Sequence, residues 1–433
     1  MKFYSTNHTI SPTDLLTVLT RGLAPDGGLF IPAKIPTLSK KFLKALDKQS
    51  LIDIGHTIAR EFLAGIPTVK LKSILQDSLN FPIPLRQLDK NLFVLELFHG
   101  PTLAFKDVGA RFLARLLSYY LQQTNQTINI IVATSGDTGS AVASGFYKVP
   151  GVHVYILYPH KRVSRLQEQQ LTTYGNNIHA FAIKGSFDDC QRLAKALLNN
   201  PKLQTKKNLS SANSINFGRL LPQSFYYFHA IAELHRLGIF ESPVVVVPSG
   251  NFGNLVAGLM AKKMGLPIKQ FIAATNRNNV VPQFLKTGKF KPRPSHQTIS
   301  NAMDVGNPSN FARLVELYKH SLLAIRRDII GTSISEALTK QTIKKIYQHY
   351  NYTIDPHTAV GIAAAWHYQK QRGTSHPIVV LSTAHPAKFK DTLEPILHQK
   401  ISLPSALKQV LKKKKHVLLL PANEQIVQQQ LLN

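Results

Sequence analysis

Six short runs dominated by Val, Ile and Ala punctuate the chain: NIIVATS, HVYILYP, IHAFAIKG, PVVVVPSG, QFIAATN and PIVVLSTA. Each gives way to small or polar residues, and stretches with helical apolar spacing lie between them. Continuous apolar runs of this length, rich in β-branched residues, suit strands buried on both faces. Alternating with amphipathic helices, they predict crossover units, a mainly parallel sheet and an α/β fold class. Residues 1–82 carry a different pattern. SPTDLLTVLTRGL offers Ser11 as an N-cap, Pro12 at the first helical position and Asp14 in the first turn, followed by apolar spacing. APDGGLFIP then reads as a loop, with Gly27 and Gly28 permitting a tight turn. The expected division is a mostly helical unit over residues 1–82 and an α/β region over residues 83–433.

The chemistry-bearing residues cluster where the apolar runs end, and in open α/β sheets ligands bind outside the carboxyl ends of the strands. SGNFGN places Gly250, Asn251, Phe252, Gly253 and Asn254 between a buried strand and a helix. Glycine lets backbone N–H groups approach an anion, and a helix N-terminus adds a favourable dipole, so this is a candidate phosphate cradle. It also reads as a plain Gly-rich turn, and it matches neither the Walker A nor the dinucleotide pattern. TSGDTGSA offers Ser135, Asp137 and Thr138 to a carboxylate or phosphate, with Asp137 equally suited to an N-cap. SSANSINFGRL crowds Asn213, Ser214, Asn216 and Arg219 together, types that suit an oxyanion, or else a polar loop entering a helix. STAHPAKF ends a buried strand with Ser382, Thr383 and His385, where a hydroxyl could meet a heterocycle nitrogen. In DPHTAVGIAAAW, Asp355 reads as an N-cap and Pro356 as the first helical residue.

One lysine stands apart. ELFHGPTLAFKDVGARFLARLL sets Lys106 between Phe105 and Asp107, where a Gly-Pro-Thr turn gives way to helical periodicity. A surface lysine has no need of so ordered a setting, whereas one that bonds covalently to an aldehyde does.

Composition narrows the function classes. A chain of 433 residues exceeds one ordinary core, so two or three domains are expected. At 44% hydrophobic and 17% charged it is globular. Lys and Arg outnumber Asp and Glu by 52 to 23, a formal charge of +29 that suits nucleic acid, an anionic surface or small anionic substrates. The basic residues are scattered, however, and LKKKKHVLLLP near the C-terminus reads as a solvated face. With no basic stripe interleaved with aromatics and no zinc-finger spacing, nucleic acid is not an expected partner. The single cysteine, Cys190, allows no internal disulfide or cysteine-based metal site and reads as a structural thiol. The N-terminus lacks a signal-peptide core and no apolar run approaches about 18 residues, so a soluble, cytoplasmic protein with no membrane partner is expected.

Taken in order, GLAPDGGLFIP, HGPTLAFKD, ATSGDTGSAV, SANSINFGRL, VPSGNFGN and STAHPAKF closely resemble the threonine synthases, pyridoxal-phosphate enzymes of the tryptophan-synthase-like fold type II. The resemblance covers essentially the whole chain. It implies two lobes in the region 83–433, with a C-terminal extension, after a family-specific N-terminal domain. It makes Lys106 the residue that carries pyridoxal 5'-phosphate as an internal aldimine and the base for the α-proton. Gly250, Asn251, Phe252, Gly253 and Asn254 would hold the cofactor phosphate, and Thr383 would face the pyridine nitrogen. The implied reaction converts O-phospho-L-homoserine and water into L-threonine and phosphate, the last step of threonine biosynthesis. By residue type, the substrate carboxylate goes to Ser135, Asp137 and Thr138, and its phosphate to Ser214, Asn216 and Arg219 with Asn213 nearby. His99 and Thr102 would line the pocket. The chain departs from the family at Val108, where an aromatic is usual, and in its basic charge. The rivals are a phospho-lyase releasing 2-oxobutanoate, a serine/threonine dehydratase, and a basic nucleic-acid-binding protein on an inactive scaffold. Lys106 followed by Asp107, together with the N-terminal domain, argues against a dehydratase, and the intact lysine and phosphate loop argue against an inactive scaffold. Oligomeric state is not legible.

Overall fold

The computed structural model describes residues 1–373 and 375–432. In chain order the strands are β1 (Phe3–Ser5), β2 (Phe30–Pro32), β3 (Leu85–Asp89), β4 (Leu92–Glu96), β5 (Ile128–Ala133), β6 (Val152–Pro159), β7 (Ile178–Lys184), β8 (Leu209–Ser211), β9 (Val244–Pro248), β10 (Gln270–Thr275), β11 (Ile329–Ser333), β12 (Ile378–Ser382) and β13 (Val417–Pro421). β1 and β2 form an antiparallel ribbon. A six-stranded sheet has the order β11-β10-β9-β12-β4-β3, parallel except for β3 at one edge. A five-stranded sheet, β13-β7-β6-β5-β8, is parallel throughout. The six apolar runs are β5, β6, β7, β9, β10 and β12. β5, β9 and β12 are buried at every position, which is why they lack a polar face and read as unbroken apolar stretches. The α/β expectation with mainly parallel sheets holds.

The N-terminal segment is helical at Leu15–Arg21, Leu51–Phe62 and Thr68–Ser78, but two details differ from the sequence reading. FIP within APDGGLFIP is strand β2 rather than loop. The first helix begins later than expected, because Thr13 exchanges backbone hydrogen bonds with Phe3 at 2.9 and 2.8 Å. That bridge holds the chain extended past Ser11 and Pro12, and Asp14 becomes the N-cap, accepting from the Thr17 N–H at 2.8 Å. Asp355 and Pro356 do begin the helix Pro356–Arg372 as N-cap and first residue.

The N-terminal elements share one apolar core with the rest of the chain: Phe3, Leu19, Phe62 and Leu75 pack in a cluster with Phe112, Phe217, Phe225, Val132 and Val247. The Phe3 ring meets Phe217 edge-on at 5.0 Å, and Phe62 lies 5.9 Å from the same ring. Each fully buried ring contributes about 1.5–3 kcal/mol, so Phe217 is firmly anchored. Polar links follow the same path. Asn216 donates to the Leu19 carbonyl at 3.0 Å, and the buried Arg313 donates to the Phe30 carbonyl at 2.9 Å. The N-terminal segment therefore braces residues 214–219.

Cys190 is fully buried among Leu193, Leu197 and Leu209, where burial pushes its thiol up to about 12. The basic run leads into β13, whose Val417, Leu418 and Leu419 are exposed at the sheet edge. No described helix is long and apolar enough to cross a membrane. Among the described residues, no group of three or more His, Cys, Asp or Glu side chains is placed to hold a metal.

Candidate active site

The helix Lys106–Thr124 starts at the lysine itself. The turn before it is fixed by its neighbour in space, the segment after β12: the Phe105 N–H donates to the Thr383 carbonyl at 2.9 Å, and the His385 N–H to the Leu103 carbonyl at 3.1 Å. This backbone pairing sets Lys106 beside the end of β12. Leu103 adopts φ +58°, an unusual conformation for a bulky residue. Held strain of this kind recurs at functional sites.

Burial pushes the Lys106 ammonium down to about 8. Asp137, 4.0 Å from Nζ, works against that shift, while Lys388 and Arg219 reinforce it. Asp137 is itself held far below the usual carboxylate range, mainly by Lys388 and Lys106, despite a burial that acts the other way. Lys388 has no exposed side-chain surface and reaches Asp137 Oδ1 at 2.6 Å.

A cavity of about 890 Å³ opens at the carboxyl ends of β5, β9 and β12. Its walls bring together Lys106, Ser135, Thr138, Asn213, Ser214, Arg219, Gly250, Asn251, Phe252, Gly253, Asn254 and Thr383. Four other expected site residues are placed elsewhere. His99 binds Glu96 Oε2 at 2.6 Å. Thr102 is buried against Asp107, to which its N–H and hydroxyl donate at 2.9 and 2.7 Å. Asn216 caps the short helix Phe217–Leu220 and spends its amide on Leu19 and Ser211. The Asp137 carboxylate faces Lys388 and Lys106, so it cannot receive an anion; only the turn around it can. Nor is Asp137 an N-cap, since Gly136 takes that position at φ +140°. A Cβ on Gly136 would fall 2.5 Å from the Gln167 side chain.

The cavity fits a phosphorylated aldehyde cofactor on three counts. Gly250 approaches the segment Ala302–Val305 so closely that an added Cβ would lie 2.6 Å from the Ala302 carbonyl oxygen. Beyond it Phe252 takes a left-handed φ of +61° and starts the helix Gly253–Lys263, so the loop turns a helix N-terminus toward the cavity. Asn254 Nδ2 there and Arg219 Nε on the same cavity's wall are buried donors with no partner among the described residues, which is costly unless ligands supply one. The lysine that would bind the aldehyde stands in the same wall.

Sequence reasoning missed several residues that shape this cavity. His357 lines it, and its Nε2 accepts the Ala302 N–H at 3.1 Å. Nδ1 therefore carries the proton and donates to Asp355 at 2.7 Å, fixing the tautomer and supporting the segment over Gly250. Arg313 donates to the Ile215 carbonyl at 2.6 Å and to Asn310 at 2.9 Å. Lys161 and Arg162 add positive charge to the walls. Lys388 lay inside STAHPAKF, but nothing local distinguishes a buried lysine from a solvated one.

Comparison with known proteins gives a consistent result. Residues 76–384 match the family model for pyridoxal-phosphate dependent enzymes, residues 2–79 that for the threonine synthase N terminus, and residues 358–431 that for the threonine synthase C-terminal region. The chain is 44% identical over 414 residues to the threonine synthase of Buchnera aphidicola subsp. Baizongia pistaciae, covering 95% of both chains. The crystal structure of threonine synthase from Escherichia coli superposes with a TM-score of 0.93 at 39% identity over 100% of each chain. The pyridoxal-phosphate-bound threonine synthase from Brucella melitensis gives 0.92 at 35% identity, over 100% of this chain and 98% of the other.

Proposed function

This chain belongs to the threonine synthase family of pyridoxal-phosphate enzymes, and on that premise we propose how its own residues divide the reaction. The substrate is a small phosphorylated amino acid, O-phospho-L-homoserine, converted with water to L-threonine and phosphate. One observation carries the assignment of roles: Lys106, the Gly250–Asn254 loop and the Asn213–Ser214–Arg219 group line a single cavity. That arrangement suits two separate anions around one reactive lysine.

The backbone at Gly250, Asn251, Phe252 and Gly253, with Asn254 Nδ2, would hold the cofactor phosphate. Thr383 would offer its hydroxyl to the ring nitrogen; being neutral, it would not stabilise a protonated ring as an aspartate would. When bound, pyridoxal phosphate supplies an electron sink that makes protons next to the substrate's amino-bearing carbon labile. Lys106 would hold the cofactor through its Nζ, and the same Nζ, when free, is the base placed to take the α-proton and later return one. A lysine near 8 is partly neutral at physiological pH and suited to both tasks. The turn at Ser135 and Thr138 receives the substrate carboxylate through backbone N–H groups and hydroxyls. Asn213, Ser214 and Arg219 receive the substrate phosphate, with Arg219 Nε a donor that has no partner among the described residues. A basic wall orients the leaving group and retains it after the C–O bond breaks. C–O cleavage takes a β-proton with it, the γ-carbon gains a proton, and water then adds its hydroxyl at the β-carbon as a proton returns to the α-carbon.

The test uses purified, cofactor-loaded protein with O-phospho-L-homoserine, assaying phosphate, threonine and 2-oxobutanoate together, with Lys106→Ala as the control. Threonine and phosphate in equal amounts, lost in the variant, is the expected result. Phosphate with 2-oxobutanoate in place of threonine would make the protein a phospho-lyase and overturn the reading.

A further inference from the structure

Behind the reactive lysine lies a second one that the reaction as described does not use. Lys388 sits in the turn Pro386–Phe389 after β12, with no exposed side-chain surface. Its Nζ lies 2.6 Å from Asp137 Oδ1 and donates to the Thr102 carbonyl at 3.0 Å. Gln167 Nε2 donates to the same Asp137 oxygen at 3.1 Å. With Oδ1 taken twice, Oδ2 is the oxygen that faces Lys106, at 4.0 Å. The Thr102 carbonyl also accepts from Gln170 at 3.2 Å, and Thr102 is tied to Asp107, the residue after Lys106. Lys388 thus clamps both sides of the reactive lysine: the turn that leads into it and the carboxylate that faces it.

We propose that Lys388 is a positioning residue of this reaction, pinning the Asp137 carboxylate against Lys106 and so setting where the Lys106 amine gains and loses its proton. The inference rests on the role given to Lys106 above. The physical need is plain. When Lys106 is tied up covalently its charge is no longer fixed, and a buried carboxylate facing it would be left alone. A permanently buried ammonium at hydrogen-bond distance keeps Asp137 ionised throughout. The same ammonium repels the proton on Lys106 and favours the neutral, nucleophilic amine. The charged groups facing this pair are few. Asp137, Arg219 and Lys388 act on Lys106; Asp107 faces Arg219 and Lys388, with Arg111 beyond it; His385 faces Lys388, with Glu96, His99 and Asp355 behind.

The experiment measures the protonation of Lys106 itself, in the full-length chain stripped of cofactor, from the pH dependence of its acetic anhydride labelling read by peptide mass spectrometry. Lys388→Gln keeps a donor to Thr102 but removes the charge, and Lys106 should then titrate about one pH unit higher. Asp137→Asn should move it in the opposite direction, by a similar amount. Lys388→Arg, which keeps the charge, should leave it close to wild type. In the holoenzyme, where Lys106 is free only after substrate binds, the acidic limb of kcat should follow the same order. A purely structural role for Lys388 would lower the melting temperature of Lys388→Gln while leaving the Lys106 titration in place, and that result overturns the proposal. If Lys388→Gln does not fold, Asp137→Asn decides alone: an unmoved or raised Lys106 titration refutes the clamp. The labelling needs no turnover, so it can succeed even if the product assay shows a lyase, and fail even if it shows a synthase.

Discussion

Arg313 offers the sharpest test of how the N-terminal segment serves the site. It is fully buried and ties together three separate stretches of chain. Nε donates to the Phe30 carbonyl at 2.9 Å, Nη2 to the Ile215 carbonyl at 2.6 Å, and Nη1 to Asn310 Oδ1 at 2.9 Å. Arg313→Met keeps much of the apolar bulk and removes all three donors. Each buried acceptor left bare costs about 1–3 kcal/mol, while relief of the guanidinium's own desolvation offsets part of that. The expected net loss is about 2–4 kcal/mol, read from urea denaturation followed by circular dichroism. The functional effect should be selective. Ser214 and Ile215 belong to the loop given to the substrate phosphate, so KM for O-phospho-L-homoserine should rise about tenfold, equivalent to about 1.4 kcal/mol, with cofactor affinity little changed. Arg313→Lys, which cannot reach three segments at once, should fall between the two. A variant with wild-type unfolding and wild-type KM would refute the idea that this bracing positions the loop.

Three further predictions concern the cavity and core. Gly250→Ala places a Cβ 2.6 Å from the Ala302 oxygen and 3.0 Å from the Met303 Cα; because both neighbours are backbone, the loop must shift at about 1–3 kcal/mol, and a fluorescence titration should show weakened pyridoxal-phosphate binding. Lys106→Met should stabilise the cofactor-free protein at pH 7: an ammonium depressed from 10.5 to about 8 corresponds to about 3 kcal/mol of folding energy withheld below that pH. The wild-type apoprotein should regain that stability as pH rises from about 8 toward 10.5, where the unfolded state binds the extra proton, and the variant should lack this rise in pH-dependent denaturation curves. Cys190, buried with its thiol near 12, should resist a disulfide-exchange reagent in native protein and react fully in denaturant; rapid native labelling would show that the helix Phe187–Leu198 opens.

The central strands were legible because their signal is local. A strand buried on both faces must be apolar at successive positions, and β5, β9 and β12 announce themselves by that rule alone. β8, with only LSS, and β13, exposed along the sheet edge, carry no such signal and take their place from the partners beside them. The tight turn at Gly250 was legible for a related reason: a close backbone approach requires glycine, and glycine stands there in sequence. The first helix shows the opposite case. Ser11 and Pro12 form a sound local start signal, yet the bridge between Thr13 and Phe3 overrides it. The polar site residues divide along the same line. Lys106 stood out by its ordered setting, and Asn213, Ser214 and Arg219 by their crowding. Residue type alone could not tell that Asn216 spends its amide on Leu19, that His99 turns to Glu96, or that Asp137 faces two lysines rather than an anion. Periodicity and turn chemistry are properties of neighbours in the chain, so the sequence by itself determined the fold class, the crossover pattern and the ordered setting of Lys106 at the start of its helix. Burial and charge pairing are properties of neighbours in space. Only the tertiary structure could therefore decide that Lys388 is buried against Asp137 and that Arg313 joins the N-terminal ribbon to the site.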